Sequence, residues 1–135
     1  MTTGAHGEPR ADVELRLPAD TAFVSVLRTT SAGLAARLDF TLDDIEDLRM
    51  AVGEASALVL PSADPGADLE CRFYMETGRL TVVVGVSAAS AEAPDTDSFA
   101  WQVLTTLATS ATATTEGGRY VVTMTMQSSL GAPGL

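Results

Sequence analysis

A two-layer α/β domain, one sheet covered on one face by helices, is the fold this sequence predicts. Three observations carry the prediction. Val13, Leu15 and Leu17; Leu69, Cys71 and Phe73; Leu80, Val82, Val84 and Val86; and Tyr120, Val122, Met124 and Met126 recur at period two, as half-buried strands require. Ile45, Leu48, Val52, Ala55 and Val59 form an apolar stripe at helical spacing. The chain of 135 residues is 46 % hydrophobic, a size and composition that bury one core without disulfides or structural metals.

Each element follows from its own signals. Residues 1–11 are polar with Gly and Pro and are expected to be a flexible N-terminal tail. After the strand "VELRLPA", a first helix is expected over "DTAFVSVLRTTSAGLAARL", with Asp20 or Thr21 as N-cap and Phe23, Val26, Leu27, Leu34 and Leu38 on its apolar side. The second helix opens at "FTLDDIEDL", where Thr41 caps free amides and Asp43, Asp44 and Glu46 set negative charge against the positive helix end. Pro61, Pro65 and Gly66 stop it and turn the chain. A hairpin follows, with Gly78 supplying a positive φ. A third helix is expected over "SFAWQVLTTLATSATA", capped by Asp97 or Ser98, with Phe99, Val103, Leu107 and Ala111 on one face. "EGG" turns into the last strand, and residues 128–135 are a C-terminal tail. The predicted order is β-α-α-β-β-α-β, with the domain spanning 12–127.

Composition excludes several function classes. A net charge of −10, with eight scattered arginines and no lysine, argues against a nucleic-acid groove, which needs clustered positive charge. No apolar run is long enough to cross a bilayer, and the N-terminus lacks a basic-then-apolar export signal. Cys71 is the one cysteine and has no internal disulfide partner, which fits a reducing cytoplasm. The expectation is a cytoplasmic protein with no membrane and no nucleic-acid partner.

The acid-capped "TLDDIEDLRMAVGEA" followed later by "SFAWQVLTTLA" resembles anti-sigma factors of the RsbW type, notably actinobacterial ones, within the histidine-kinase-like ATPase domains. The resemblance covers roughly residues 12–127 and implies an α/β sandwich of the Bergerat type that often dimerises. It implies two partners: an alternative sigma factor that is sequestered, and an anti-anti-sigma antagonist that releases it. A homodimer is compatible with it. Many members also phosphorylate the antagonist on serine.

That kinase chemistry implies particular residues. The second helix of the family reads Glu, three residues, then Asn. The Glu serves the attacking hydroxyl as base, and the Asn holds the Mg²⁺ that bridges the phosphates. Glu54 stands at the base position, but Leu58 replaces the Mg-binding Asn, and the chain contains no asparagine at all. The family's Asp-x-Gly-x-Gly and glycine-rich lid are also missing. Gly85 stands alone, Glu92, Asp95 and Asp97 fall outside the expected spacing, and residues 86–98 hold no glycine.

On the second helix Glu54 shares a side with Met50, Ala57 and Leu58, away from the apolar stripe. A solvated carboxylate or an ion pair with a nearby Arg accounts for Glu54 without catalysis. Cys71 reads as a buried small hydrophobe. His6 has no metal-type neighbour, and Ser56 lies mid-helix rather than at a nucleophile elbow. Trp101 and Phe99 read as core, with partner anchoring as the alternative. By family analogy, Arg28 and Arg37 are the candidate sigma-factor contacts.

The reading is an anti-sigma factor that works by binding, with no catalytic or metal residue and no cofactor. The alternative is an active serine protein kinase that uses ATP and Mg²⁺.

Overall fold

The computed structural model describes residues 10–131. The order is β1 (Val13–Pro18), α1 (Val24–Ala36), α2 (Leu42–Val59), β2 (Asp68–Glu76), β3 (Arg79–Ser87), α3 (Phe99–Leu107), β4 (Ser110–Glu116) and β5 (Arg119–Gln127). Single 3₁₀ turns precede α1 at Thr21–Phe23, follow α2 at Leu60–Ser62 and follow β5 at Ser129–Gly131. The five strands form one antiparallel sheet in the order β1-β2-β3-β5-β4.

The α/β class and its two layers are as the pattern predicts. Inward residues Leu69, Cys71 and Phe73 of β2, Leu80 to Val86 at every second position of β3, and Tyr120 to Met126 at every second position of β5 share one core with helix residues. α2 is the centre of the helical layer. It packs on β3 and β5 below and on α1 and α3 to either side, burying Leu48, Val52, Ala55 and Val59 completely. Thr41 and Asp44 start it with a reciprocal capping box. Among the described residues no helix is long and apolar enough to cross a membrane.

The element order needs one correction. The expected third helix ends at Leu107, and Ser110–Glu116 is the strand β4, so the order is β-α-α-β-β-α-β-β. In "SATATTE" the inward positions are Ala111, Ala113 and Thr115 and the outward ones Ser110, Thr112 and Thr114. Alanine against threonine gives little hydropathy contrast, and alanine favours helix, so the alternation is nearly silent. The stronger signal is Gly117–Gly118, whose φ values of 61° and 73° make the two-residue hairpin turn into β5.

Two helix faces also differ from expectation. α1 buries Val24, Leu27, Ser31 and Ala35, while Phe23 and Val26 are exposed. Small residues on the inner face let the helix approach closely, and the Ser31 hydroxyl is satisfied by donating to the Leu27 carbonyl at 2.8 Å. Asp20 caps the 3₁₀ turn rather than α1 itself, accepting from the Ala22 amide at 2.9 Å. α3 is capped by Ser98 and buries Leu104, with Trp101 half-buried beside it, whereas Phe99 is 77 % exposed.

The chain after β5 docks on the α1–α2 connection. Ser128 is fully buried; its amide donates to the Gly78 carbonyl at 2.7 Å and its hydroxyl to the Asp39 carbonyl at 2.8 Å. Asp39 has φ 64°, a left-handed turn that aspartate tolerates better than most residues. Of the tails expected at 1–11 and 128–135, residues 1–9, with His6, and 132–135 lie outside the described residues.

Candidate functional site

The capping box fixes where α2 begins, and the buried stripe fixes its rotation, so the second half of the helix is aimed by the core. Gly53, Ala55, Ser56 and Val59 are buried, and Ser56 donates its hydroxyl back to the Val52 carbonyl at 3.0 Å. That bond leaves Ser56 no nucleophilic role. Glu54 and Leu58 lie one turn apart, both half-buried, on the side away from α1. Glu54 makes no hydrogen bond or ion pair among the described residues, where the only salt bridges are Arg16–Asp68 and Arg119–Glu70.

Beyond Glu54, α2 walls an open cavity of about 570 Å³. Ala57, Leu58 and Pro61 form its apolar side; Glu92, Asp95 and Tyr120 bring polar atoms from the loop before α3 and from β5. Leu58 lines it and also packs against the core, while Glu54 is not part of its lining.

The cavity lining is aliphatic on one side and acidic on the other. The metal position offers only the aliphatic carbons of Leu58, which donate no electron pair. Glu92 and Asp95, both exposed, are among the cavity's lining residues, no arginine of the described residues lines it, and residues 86–98 hold no glycine. Ser98 already accepts the Trp101 amide at 3.2 Å and Asp95 the Asp97 amide at 2.9 Å, setting negative charge at the helix end where an anion would dock. Among the described residues no three His, Cys, Asp or Glu side chains converge as a metal site needs.

Sequence reasoning set Glu92 and Asp95 aside for their spacing and missed Tyr120. Tyr120 pairs with Val86 at the mouth of β3, where its inward ring ends at the cavity. Burial, and then the charge of Asp95, push its hydroxyl pKa above the usual value, so the hydroxyl stays protonated at neutral pH.

The other candidates separate. The Arg28 guanidinium lies across Gly53: a Cβ there would stand 2.6 Å from its Nη2, so the missing side chain lets Arg28 lie against α2. Arg37 is the exposed C-cap of α1. Nine positions, about two and a half turns, part the two arginines, so they do not share a helix face. Cys71 is 1 % exposed, and burial, helped by the neighbouring Glu70, pushes its thiol up to about 12. It is an inert core residue. A larger cleft of about 740 Å³ lies on the open sheet face beside Glu14, Arg16 and Arg72. Across it Arg119 reaches Glu70 at 3.0 Å by lying over Gly85. No residue of α2 lines it, and Arg16, Glu70 and Arg119 of its lining are ion-paired.

The fold is a small mixed α/β domain, consistent with the small kinase-like ATPase fold of the RsbW type. No protein-family model matches the chain. It is similar to the serine-protein kinase RsbW of Halalkalibacterium halodurans, 40 % identical over 73 residues, which are 53 % of this chain and 45 % of the relative. The serine-protein kinase RsbW of Bacillus subtilis is 36 % identical over 75 residues, 53 % of this chain and 47 % of the relative. That of Bacillus cereus is 32 % identical over 74 residues, 55 % and 41 % respectively. The matched stretch spans about half the length of these curated relatives. Over that stretch the chain is similar to serine-protein kinases of the RsbW type. These three relatives are from Firmicutes, whereas the sequence reading named actinobacterial members.

Proposed function

We propose that this protein is an anti-sigma factor of the RsbW type that acts by binding: it sequesters an alternative sigma factor and yields it to a competing antagonist protein without phosphorylating that antagonist. The observation that carries the reading is Leu58 at the wall of the cavity, where a Mg²⁺ ligand is required for phosphoryl transfer. The acidic lining of Glu92 and Asp95 supports it further. The setting is a cytoplasmic one, with protein partners and no nucleic acid or membrane.

A second reading has its own support. The relatives are named serine-protein kinases, and Glu54 keeps the base position on α2. On that reading the chain phosphorylates its antagonist.

One experiment separates the two. The tagged full chain is isolated from its source cells, and its bound proteins are identified and then incubated with γ-labelled ATP. The binding reading expects a sigma factor in one complex, an antagonist in another, and no label on the antagonist. Label on an antagonist serine, lost in Glu54→Gln, would establish the kinase reading. Complexes that contain no sigma factor would overturn both.

A further inference from the structure

The cavity beside Leu58 combines features that suit a ligand of opposite charge to a nucleotide. Tyr120 is 5 % exposed, and its hydroxyl makes no hydrogen bond among the described residues. No fully enclosed polar side-chain atom of those residues lacks a partner, so this hydroxyl reaches the solvent of the cavity it lines. A tyrosine this buried ordinarily has its hydroxyl satisfied. Among the described residues that of Tyr120 has no partner, and the solvent-facing hydroxyl opens on the cavity, where a ligand can take the place of water.

The charges beside it are uncompensated. Among the described residues neither Glu92 nor Asp95, both exposed, forms an ion pair, and no basic side chain lines the cavity. Asp95 Oδ1 takes the Asp97 amide, which leaves Oδ2 unbonded. Opposite the carboxylates, Ala57, Leu58 and Pro61 offer an apolar wall. A polar cluster on one side and an aliphatic wall on the other match a cation carried on an alkyl stem.

We propose that this cavity binds a guanidinium or primary-amine group on an alkyl stem, with the carboxylates of Glu92 and Asp95 and the Tyr120 hydroxyl receiving its N–H groups and Leu58 packing on the stem. Guanidinium is the better fit, because its planar donors reach two carboxylates and a hydroxyl at once. A free small molecule or an arginine side chain of a partner protein presents the same group. The inference rests on the reading that the cavity does not serve ATP.

The test is an amide-resonance titration of the ¹⁵N-labelled full chain with butylguanidine, its neutral near-isostere butylurea, acetyl-arginine amide and Mg-ATP. Saturable shifts at Leu58, Glu92, Asp95 and Tyr120 are expected with butylguanidine and not with butylurea. Glu92→Gln and Asp95→Asn are each expected to weaken binding about threefold, the size of one exposed ion pair. Tyr120→Phe is expected to weaken it similarly, and the same spectra report whether each variant is folded. Tighter binding of acetyl-arginine amide than of butylguanidine would assign the site to a partner's arginine, and the reverse order to a free amine. Equal response to butylurea, or no response of these amides to either cation, would overturn the inference while leaving the non-kinase reading intact. Saturation of the same amides by Mg-ATP would overturn both.

Discussion

At its N-terminal end α2 is bound down on every side. Asp44 Oδ2 accepts from the Thr41 amide at 3.1 Å and from the Ser129 amide and hydroxyl at 3.0 Å each, while Thr41 Oγ1 takes the Asp44 amide. Three turns later, Glu54 has no partner among the described residues and Leu58 lines a cavity that Glu92 and Asp95 also line. The same helix thus holds one carboxylate that the fold uses and one that it does not. The first end closes a helix, anchors the chain after β5 and must be satisfied in any protein of this fold. The second end is held by the core through Ala55, Ser56 and Val59, while Glu54 and Leu58 lie half-buried on its outer side.

The largest expected effect breaks or sharpens this contrast within the helix itself. Leu48→Ala empties a fully buried position and is expected to cost about 3 kcal/mol, whereas Leu58→Ala trims a cavity wall and is expected to cost about 1 kcal/mol. Paired urea melts measure both. Equal losses would make Leu58 an ordinary core residue and dissolve the difference between the two ends.

Next in size is the clamp. Burial alone would raise the Asp44 carboxyl pKa, but hydrogen bonds from Ser129 and Thr41 outweigh it and hold the value below the usual carboxylate range. A depressed folded value means that the carboxylate's contribution is present above the unfolded value and is lost as pH falls through the folded one. Asp44→Ala is therefore expected to cost about 1 kcal/mol at neutral pH, a typical cap loss. The gap from the parent protein should narrow as the pH falls below roughly 4, the unfolded carboxyl value. A gap independent of pH would mean that the clamp is not electrostatic.

How much of this was legible follows the strength of the physical signal. β1, β2, β3 and β5 were readable because large aliphatic or aromatic residues alternate with polar ones, and α2 because its stripe and cap agree. β4 was not, because Ala and Thr barely differ in hydropathy and register there is set by the partner strand β5. The inner face of α1 was misread because size was taken as the mark of burial, when Ser31 and Ala35 are buried for being small. Leu58 was marked only through the resemblance to RsbW-type proteins, which implies an asparagine at that position. Tyr120 was not, since joining it to Glu92 and Asp95 takes a crossing between the loop before α3 and β5 that no local pattern encodes.

The smallest expected effect is the most pointed. Glu54→Gln should leave stability within about 0.5 kcal/mol of the parent, because the carboxylate has no partner to lose. It should also leave sigma-factor affinity unchanged. A larger stability loss in thermal melts, or a lost complex, would give Glu54 a role that its surroundings do not show.

The central claim is that the ATPase-type fold persists here while its nucleotide site does not, and calorimetric titration of the full chain with Mg-ATP tests it most directly. The account predicts no binding heat, no rise in melting temperature at millimolar nucleotide, and no gain of either in Leu58→Asn, since the acidic wall remains. Binding in the micromolar range by the parent protein would contradict it.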